Sequence, residues 1–144
     1  VHFFADLGAH MAGTLSGNPV AMAAGLAQLN IITDHPEIYT VMETSASYIA
    51  NHLRASAEKH GIAMQVNQIG SLLCPYFTET PVNCYAAAKK SDTKRYAAYF
   101  NGMLKRGIYL APSQFEAMFV SSVHTQNDLA CTVQAAEETL SEMA

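Results

Sequence analysis

The chain has 144 residues, the length of one ordinary domain, which is enough to bury a single core. Half of the residues are hydrophobic and only 14% are charged, which excludes global disorder. The net charge is -4 without a basic stripe, and the longest apolar run, residues 20–29, is too short to span a bilayer. We therefore expect neither a nucleic-acid partner nor a membrane partner.

Residues 1–11 end in the letters GAHM, which expression vectors often leave in front of an insert. We interpret residues 1–11 as a leader that is vector-derived or unrelated to the family of the remaining chain. The alternative is a native segment with a short strand over residues 2–5.

The segment GTLSGNP, residues 13–19, is the densest site-like pattern of the chain. Its glycines allow close backbone approach, its hydroxyls can donate to oxyanions, and the following helix N-terminus can offer amides to an anion. It lacks the lysine of a Walker A loop. The segment is therefore either a phosphate-binding turn or an ordinary capped turn.

A helix is predicted over residues 20–32, with Asn18 as N-cap and Pro19 at the first helical position. This helix is apolar nearly all round and rich in small residues. Because such a helix needs cover on every face, we expect it to be buried against a neighbouring domain or subunit.

The elements that follow switch between helical and strand periodicity. A long amphipathic helix ends at Gly61, and strands are predicted over 63–68 and 72–77. Two helices follow, one around 85–90 and one from Asp92 to Gly107 that carries Tyr96 on its apolar face. Further strands are predicted over 108–110 and 118–122, and a capping box of Thr125 and Asp128 begins the last helix, 126–143. This order predicts an α+β fold with three or four mainly antiparallel strands and helices packed on one face.

Few residue types offer catalytic chemistry. The histidines show no HxxxH or HExxH spacing, and the three cysteines show no CxxC spacing, so we expect solvated imidazoles, reduced thiols and no metal site. Cys74 and Cys131 are predicted to fill the core. All five lysines lie in polar helical contexts, unlike a desolvated Schiff-base lysine. Glu116, in the loop 112–116, is either a functional carboxylate or a solvated one.

Three stretches carry a resemblance to a known family. Residues 12–25, AGTLSGNPVAMAAG, resemble the class III pyridoxal-phosphate-dependent aminotransferases. Residues 88–104, which include AKKSDT and YFNGML, and residues 106–117, RGIYLAPSQFEA, resemble the glutamate-1-semialdehyde 2,1-aminomutase family within that class. The resemblance extends in consistent order from about Ala12 to the C-terminus.

The resemblance implies that the chain is the C-terminal part of a cytoplasmic, homodimeric enzyme of fold type I. Residues 12–34 would be an interface motif with a connecting helix, and residues 35–144 the small α+β domain. The full-length enzyme would bind pyridoxal phosphate and isomerise glutamate-1-semialdehyde to 5-aminolevulinate on the way to tetrapyrroles. The chain lacks the Schiff-base lysine, so we expect it alone to be inactive and to bind no cofactor.

The family pattern also implies roles for three residues. Gly13 and Thr14 would contact the phosphate of the partner subunit's pyridoxal phosphate, and Glu116 would face the substrate; no catalytic residue is assigned to this chain. Two alternatives stay open, namely the C-terminal domain of another class III transaminase and a free-standing α+β module for dimerisation or ligand binding.

Overall fold

The computed structural model describes Gly13 and residues 16–144. The helices and strands, in chain order, are α1 (Pro19–Asp34), α2 (Glu37–Lys59), β1 (Gln65–Ile69), β2 (Leu72–Tyr76), α3 (Tyr85–Ala88), α4 (Thr93–Lys105), β3 (Met118–Phe119) and α5 (Gln126–Glu142). The chain divides into two compact units, residues 1–36 and residues 37–144, and each is described by itself. The predicted leader, residues 1–11, lies outside the described residues.

Helix α1 forms where the sequence predicts it. The Asn18 side chain accepts hydrogen bonds from the backbone N–H groups of Val20 and Ala21, at 3.0 and 3.1 Å. None of the residues of α1 is buried. Most of its large apolar side chains are 56–78% exposed, namely Val20, Met22, Leu26, Leu29 and Ile31. That a neighbouring domain or subunit covers them stays a prediction.

The unit of residues 37–144 has a core of its own between its helices and one face of its sheet. Helix α2 packs against α5 and against the strands β1 and β2. The largest fully buried side chains include Leu53, Leu73, Tyr99, Met103 and Leu140. The sheet is antiparallel in the order β1-β2-β3, so the predicted α+β fold is confirmed.

The register of the sheet separates a covered face from an open face. Strand β1 pairs with β2 from Gln65 opposite Tyr76 to Ile69 opposite Leu72, and Leu72 pairs in turn with Phe119 of β3. Because side chains alternate along a strand, Ile69, Leu72 and Phe119 share the face away from the core. Ile69 and Phe119 are largely exposed.

Two of the strand predictions are wrong in extent. Residues 108–110 form no strand, because the Ile108 amide donates to the Met103 carbonyl at the end of α4 instead of to a sheet neighbour. The predicted strand 118–122 shortens to β3, whose ladder continues only with a hydrogen bond from Val120 N–H to Ser71 O. The apolar run by itself did not indicate that the Ile108 amide would form a hydrogen bond at the C-terminal end of α4.

The helix boundaries follow the predicted caps. Asp92 caps α4, and Thr125 and Asp128 form the predicted capping box of α5. The prediction that Cys131 fills the core is wrong, because this residue is exposed. The buried residues of α5 lie on another side of the helix, namely Leu129, Ala135, Ala136, Thr139 and Leu140. Cys74 is half-buried, and its position in β2 places it on the open face of the sheet.

Candidate functional site

The turn before α1 has the compact backbone that its glycines predict. Ser16 N–H donates to the Gly13 carbonyl at 3.0 Å, and Gly17 has a φ of 76°, in the left-handed region that favours glycine. A Cβ at Gly13 would lie 3.1 Å from Ser16 Oγ, so a side chain there would crowd the turn. Thr14, the other predicted phosphate contact, lies outside the described residues.

The helix N-terminus at this turn does not supply the free amides that the sequence suggested. Pro19 has no N–H, and the amides of Val20 and Ala21 donate to the Asn18 side chain. The Met22 amide donates to the Asn18 carbonyl. Any anion bound here would therefore depend on the turn itself, whose Ser16 and Gly17 are exposed.

The second predicted site, the loop that carries Glu116, is held at both ends. At its start, the Tyr96 hydroxyl of α4 donates to the Ala111 carbonyl at 2.6 Å. At its end, the Cys74 thiol of β2 lies 3.7 Å from the Glu116 carbonyl, in hydrogen-bonding geometry. The loop backbone is thus attached both to a helix and to the sheet.

Hydrogen bonds within the loop close a tight turn around Ser113. The Glu116 amide donates to the Ser113 carbonyl at 3.1 Å, and the Phe115 amide donates to Ser113 Oγ at 3.2 Å. Both bonds are local, so the turn is defined by its own sequence. The Glu116 side chain is exposed, and its carboxylate is available to a ligand.

Residues of this loop line two cavities. One, of about 600 Å³, is lined by Glu116 together with mainly apolar residues that include Tyr99, Leu110 and Met118. The other, of about 400 Å³, is lined by Phe115, Tyr85 and Tyr76 among others. The rings of Tyr85 and Phe115 meet edge to face at 6.2 Å. Neighbouring residues of one loop therefore line different cavities.

The phenols and the thiol near the loop are protonated at neutral pH. Burial, and to a smaller extent the charges of Cys74 and Glu116, raise the pKa of Tyr96 to about 12. Burial also raises the pKa of the Cys74 thiol, partly offset by a hydrogen bond with Tyr76. Both groups are therefore hydrogen-bond donors to the loop over the whole physiological range.

Gln114, in the middle of the loop, is buried without a hydrogen-bond partner. The residue is 3% exposed, and neither Nε2 nor Oε1 finds a partner within the described part of the chain. A buried amide that lacks its hydrogen bonds is unfavourable by about 1–3 kcal/mol. The observed loop conformation therefore contains an unfavourable element that its other contacts must offset.

The structure also places the lysines and His60. All five lysines are exposed, as expected for solvated ammonium groups. His60, however, is largely covered and contacts the Glu137 carboxylate at 2.9 Å.

Among residues 16–144 and Gly13, no group of three or more His, Cys, Asp or Glu side chains could hold a metal ion. No helix in this same part of the chain is long and apolar enough to cross a membrane.

Glu116 is a site residue predicted from the sequence, whereas the residues that hold its loop were not predicted to do so. Tyr96 is predicted only as part of the apolar face of α4, and Cys74 only as a core residue. A tyrosine on a buried helix face was the available signal, because a buried phenol usually finds a hydrogen-bond partner. Gln114 lies within the stretch 106–117 that carries the resemblance, but its burial depends on the folded loop and was not predicted.

Comparisons with known proteins give one consistent set of relatives, although no protein-family profile matches the chain. The chain is 56% identical over 135 residues to a glutamate-1-semialdehyde 2,1-aminomutase of Ruminiclostridium cellulolyticum. This match covers 94% of this chain and 31% of the relative. A Deinococcus radiodurans protein of the same name is 48% identical over 132 residues and covers 90% of this chain. The chain spans about 30% of the length of the curated relatives it matches.

Solved structures agree with this fold. An ω-transaminase from Sphaerobacter thermophilus superposes with a TM-score of 0.75 at 21% identity, over 92% of this chain and 30% of that one. A glutamate-1-semialdehyde aminomutase from Pseudomonas aeruginosa gives a TM-score of 0.67 at 18% identity, over 75% of this chain and 24% of that one. At these identities the structures show a shared fold.

Proposed function

Because this chain belongs to the glutamate-1-semialdehyde 2,1-aminomutase family, we propose that it works as the C-terminal part of a longer enzyme that isomerises glutamate-1-semialdehyde to 5-aminolevulinate. The product is used in tetrapyrrole synthesis. The observation that carries the proposal is the 56% identity over 135 residues to the R. cellulolyticum aminomutase. An ω-transaminase is the other class III reading, and it is supported only by a shared fold at 21% identity.

The proposed cofactor is pyridoxal phosphate, held by the full-length protein. When bound, it supplies an electron sink for the isomerisation. The sequence of this turn suits a phosphate, because glycine at position 13 has no side chain to block a close backbone approach and a hydroxyl at Thr14 can donate to an anion. We propose that Gly13 and Thr14 bind the phosphate group of the pyridoxal phosphate held by the partner subunit of a homodimer. The exposed lysines of this chain do not suit covalent attachment of the cofactor.

Glu116 is proposed to bind the amino group of the substrate. Its carboxylate is exposed, lines the 600 Å³ cavity and belongs to a loop fixed at both ends. An ionised carboxylate forms strong, charge-assisted hydrogen bonds with an ammonium group.

The proposal places the full-length enzyme in the cytoplasm as a homodimer. The three cysteines, Cys74, Cys84 and Cys131, are all free thiols, which suits a reducing compartment. The exposed apolar side chains of α1 suit burial at a subunit or domain interface.

A chimera tests the activity directly. The matched C-terminal stretch of the R. cellulolyticum aminomutase is replaced by this chain, and 5-aminolevulinate formation is measured with the native relative as reference. We expect the chimera to be active and the 144-residue chain alone to be inactive. A folded, cofactor-loaded chimera that forms no 5-aminolevulinate would contradict the proposal, and transfer of an amino group from an added donor to a keto acid would favour the ω-transaminase reading.

The phosphate assignment is tested in the same chimera with Thr14→Val. The substitution keeps the side-chain volume and removes one donor to a dianion, so we expect cofactor affinity to fall by roughly ten-fold to a hundred-fold, about 1.5–3 kcal/mol. Thr33→Val is the matched control, because the Thr33 hydroxyl donates to the Leu29 carbonyl inside α1.

Mixed dimers test whether Thr14 acts across the interface. A Thr14→Val subunit is paired with a subunit that has Thr14 but lacks the catalytic lysine, so that one site combines the intact hydroxyl with the intact lysine. Recovery of cofactor binding and activity supports the assignment. Unchanged affinity in the variant, or no recovery beyond the parent dimers, would show that Thr14 is a turn residue or acts within its own subunit.

A further inference from the structure

The loop of residues 111–116 combines strong attachment with an unfavourable interior. Its start is held by a short hydrogen bond, 2.6 Å from the Tyr96 hydroxyl to the Ala111 carbonyl, and its end by the weaker contact of the Cys74 thiol. Between these points lies the Gln114 amide, buried and without a partner in the described residues. The two features have opposite effects on the loop conformation.

Solvation of Gln114 would require the loop to move. The amide is covered by the chain, so water can reach it only if the residues around Gln114 shift outward. Phe115 and Glu116 follow directly and share the Ser113 turn through their amides. Any outward movement of Gln114 therefore displaces the Glu116 carboxylate as well.

We propose that Tyr96 is a positioning residue for Glu116: its hydroxyl holds the loop in a conformation that the buried Gln114 amide opposes. The loop is then a two-state element, closed while Tyr96 holds Ala111 and open when Gln114 reaches water. The closed state presents Glu116 to the cavity that Tyr99 and Met118 also line. The assignment of substrate to Glu116 rests on the proposed function, whereas the control of the loop by Tyr96 does not.

Tyr96 is suited to this task by its surroundings. The residue is 3% exposed and lies on the covered face of α4, so its ring cannot follow a moving loop. Its phenol stays protonated far above neutral pH, since its pKa is raised to about 12 mainly by burial. The donor to Ala111 is therefore fixed in place and permanently available.

Hydrogen exchange in the 144-residue chain tests the loop equilibrium. Tyr96→Phe removes only the donor oxygen, and we expect the Phe115 and Glu116 amides to exchange several-fold to about ten-fold faster, the effect of one net hydrogen bond. Tyr39→Phe is the matched control, because this tyrosine is 57% exposed on α2. Amides in the middle of α2 and α5 should be unchanged, which verifies that the variant is folded.

Removal of the buried amide gives the opposite result. Gln114→Met keeps an unbranched chain of similar size without polar hydrogen-bonding groups, so alone it should slow loop exchange below that of the unaltered chain. In the double variant with Tyr96→Phe it should return exchange close to the original rate. Unchanged exchange in Tyr96→Phe, or faster exchange that Gln114→Met does not reverse, would overturn the proposal.

Kinetics of the chimera test the link to the substrate. Tyr96→Phe should raise KM for glutamate-1-semialdehyde several-fold and change kcat less, and it should have no further effect on KM in a Glu116→Gln background. Additive effects on KM would show that Tyr96 does not act through Glu116. An inactive unaltered chimera would refute the proposed function, while the exchange measurements would still decide whether Tyr96 controls the loop.

Discussion

Helices α1 and α2 follow each other in the chain and use apolar residues in opposite ways. Helix α1 has no charged side chain before Asp34, and none of its residues is buried. Helix α2 is much more polar, yet it buries seven residues, namely Ser45, Ala46, Ile49, Ala50, Leu53, Ser56 and Ala57. The comparison shows that burial within this chain follows the periodicity of apolar residues and not their number.

The difference has an energetic consequence. The apolar side chains of α2 contribute to a core that residues 37–144 complete by themselves, whereas those of α1 are exposed. A 16-residue helix without packing is only marginally stable in water. The effects of substitutions on stability should therefore differ in size between the two helices, and at some positions in sign.

The largest expected contrast is between Leu53→Ala and Leu26→Ala. Leu53 is 1% exposed and Leu26 is 61% exposed. Truncation of the buried leucine should lower the free energy of unfolding by about 2–5 kcal/mol, since it leaves a cavity, whereas the exposed change should stay within about 0.5 kcal/mol. Urea unfolding of the 144-residue chain measures both. A cost above 1 kcal/mol for Leu26→Ala would show that α1 contributes to the cooperative core.

Replacing two helical glycines by alanine should have effects of opposite sign on stability. A Cβ at Gly102 in α4 would clash with Cγ2 of Thr139, a residue that is 1% exposed, whereas a Cβ at Gly25 in α1 meets nothing within 4 Å. Gly102→Ala should destabilise the chain by about 1–3 kcal/mol through overpacking. Gly25→Ala should favour α1 locally by roughly 0.5–1 kcal/mol.

Unfolding midpoints and circular dichroism separate the two glycine effects. Gly102→Ala should lower the midpoint, and Gly25→Ala should raise the helical signal with the midpoint unchanged. Neutral behaviour of Gly102→Ala would mean that α4 and α5 can separate slightly at this contact without cost.

The exposed side of α1 should also govern self-association of the isolated chain. Met22→Lys combined with Leu26→Lys places two charges among its exposed apolar side chains, which are 56–78% exposed. We expect the association constant to fall by at least about ten-fold, ~1.4 kcal/mol, in sedimentation experiments. Tyr39→Lys, an equally exposed change on α2, is the control. Association that persists in the double variant would place the contact elsewhere.

The comparison also explains what the sequence could predict. Helix positions, caps and the β1-β2 hairpin depend on residues close in the chain, and Asn18, Asp92 and Thr125 cap their helices as expected. Strand extent was less predictable, since pairing at β3 depends on residues far apart in sequence. The apolar run 108–110 forms no strand for a different, local reason, because its first amide donates to the Met103 carbonyl at the end of α4.

The candidate site divides along the same line. Glu116 could be selected from its sequence motif, and the Ser113 turn that positions its backbone is local. The partners Tyr96 and Cys74 are 20 and 42 residues away in the chain, and only the fold brings them to the loop. Long-range contacts of this kind leave little trace in a single sequence.

Ionisation of the buried tyrosines should change the stability of the chain only at alkaline pH. Burial raises the pKa of Tyr96 from 10.0 to about 12, and it raises the pKa of Tyr99 as well. Well below pH 10 both phenols are protonated in the folded and the unfolded chain, so their contribution to stability is complete. Between about pH 10 and 12 the unfolded chain loses these protons while the folded chain retains them, so stability must fall as pH rises.

Tyr96→Phe should therefore lower stability at pH 8, where the hydrogen bond to Ala111 is lost, but reduce the further loss between pH 8 and pH 11. Urea unfolding at pH 8, 10 and 11 measures this slope. Helix α1 carries no ionisable side chain from Pro19 to Thr33, so its own helical signal should not follow the titration. An identical alkaline slope in the variant and the unaltered chain would show that Tyr96 titrates alike in both states, and that its phenol is not the buried donor at the loop.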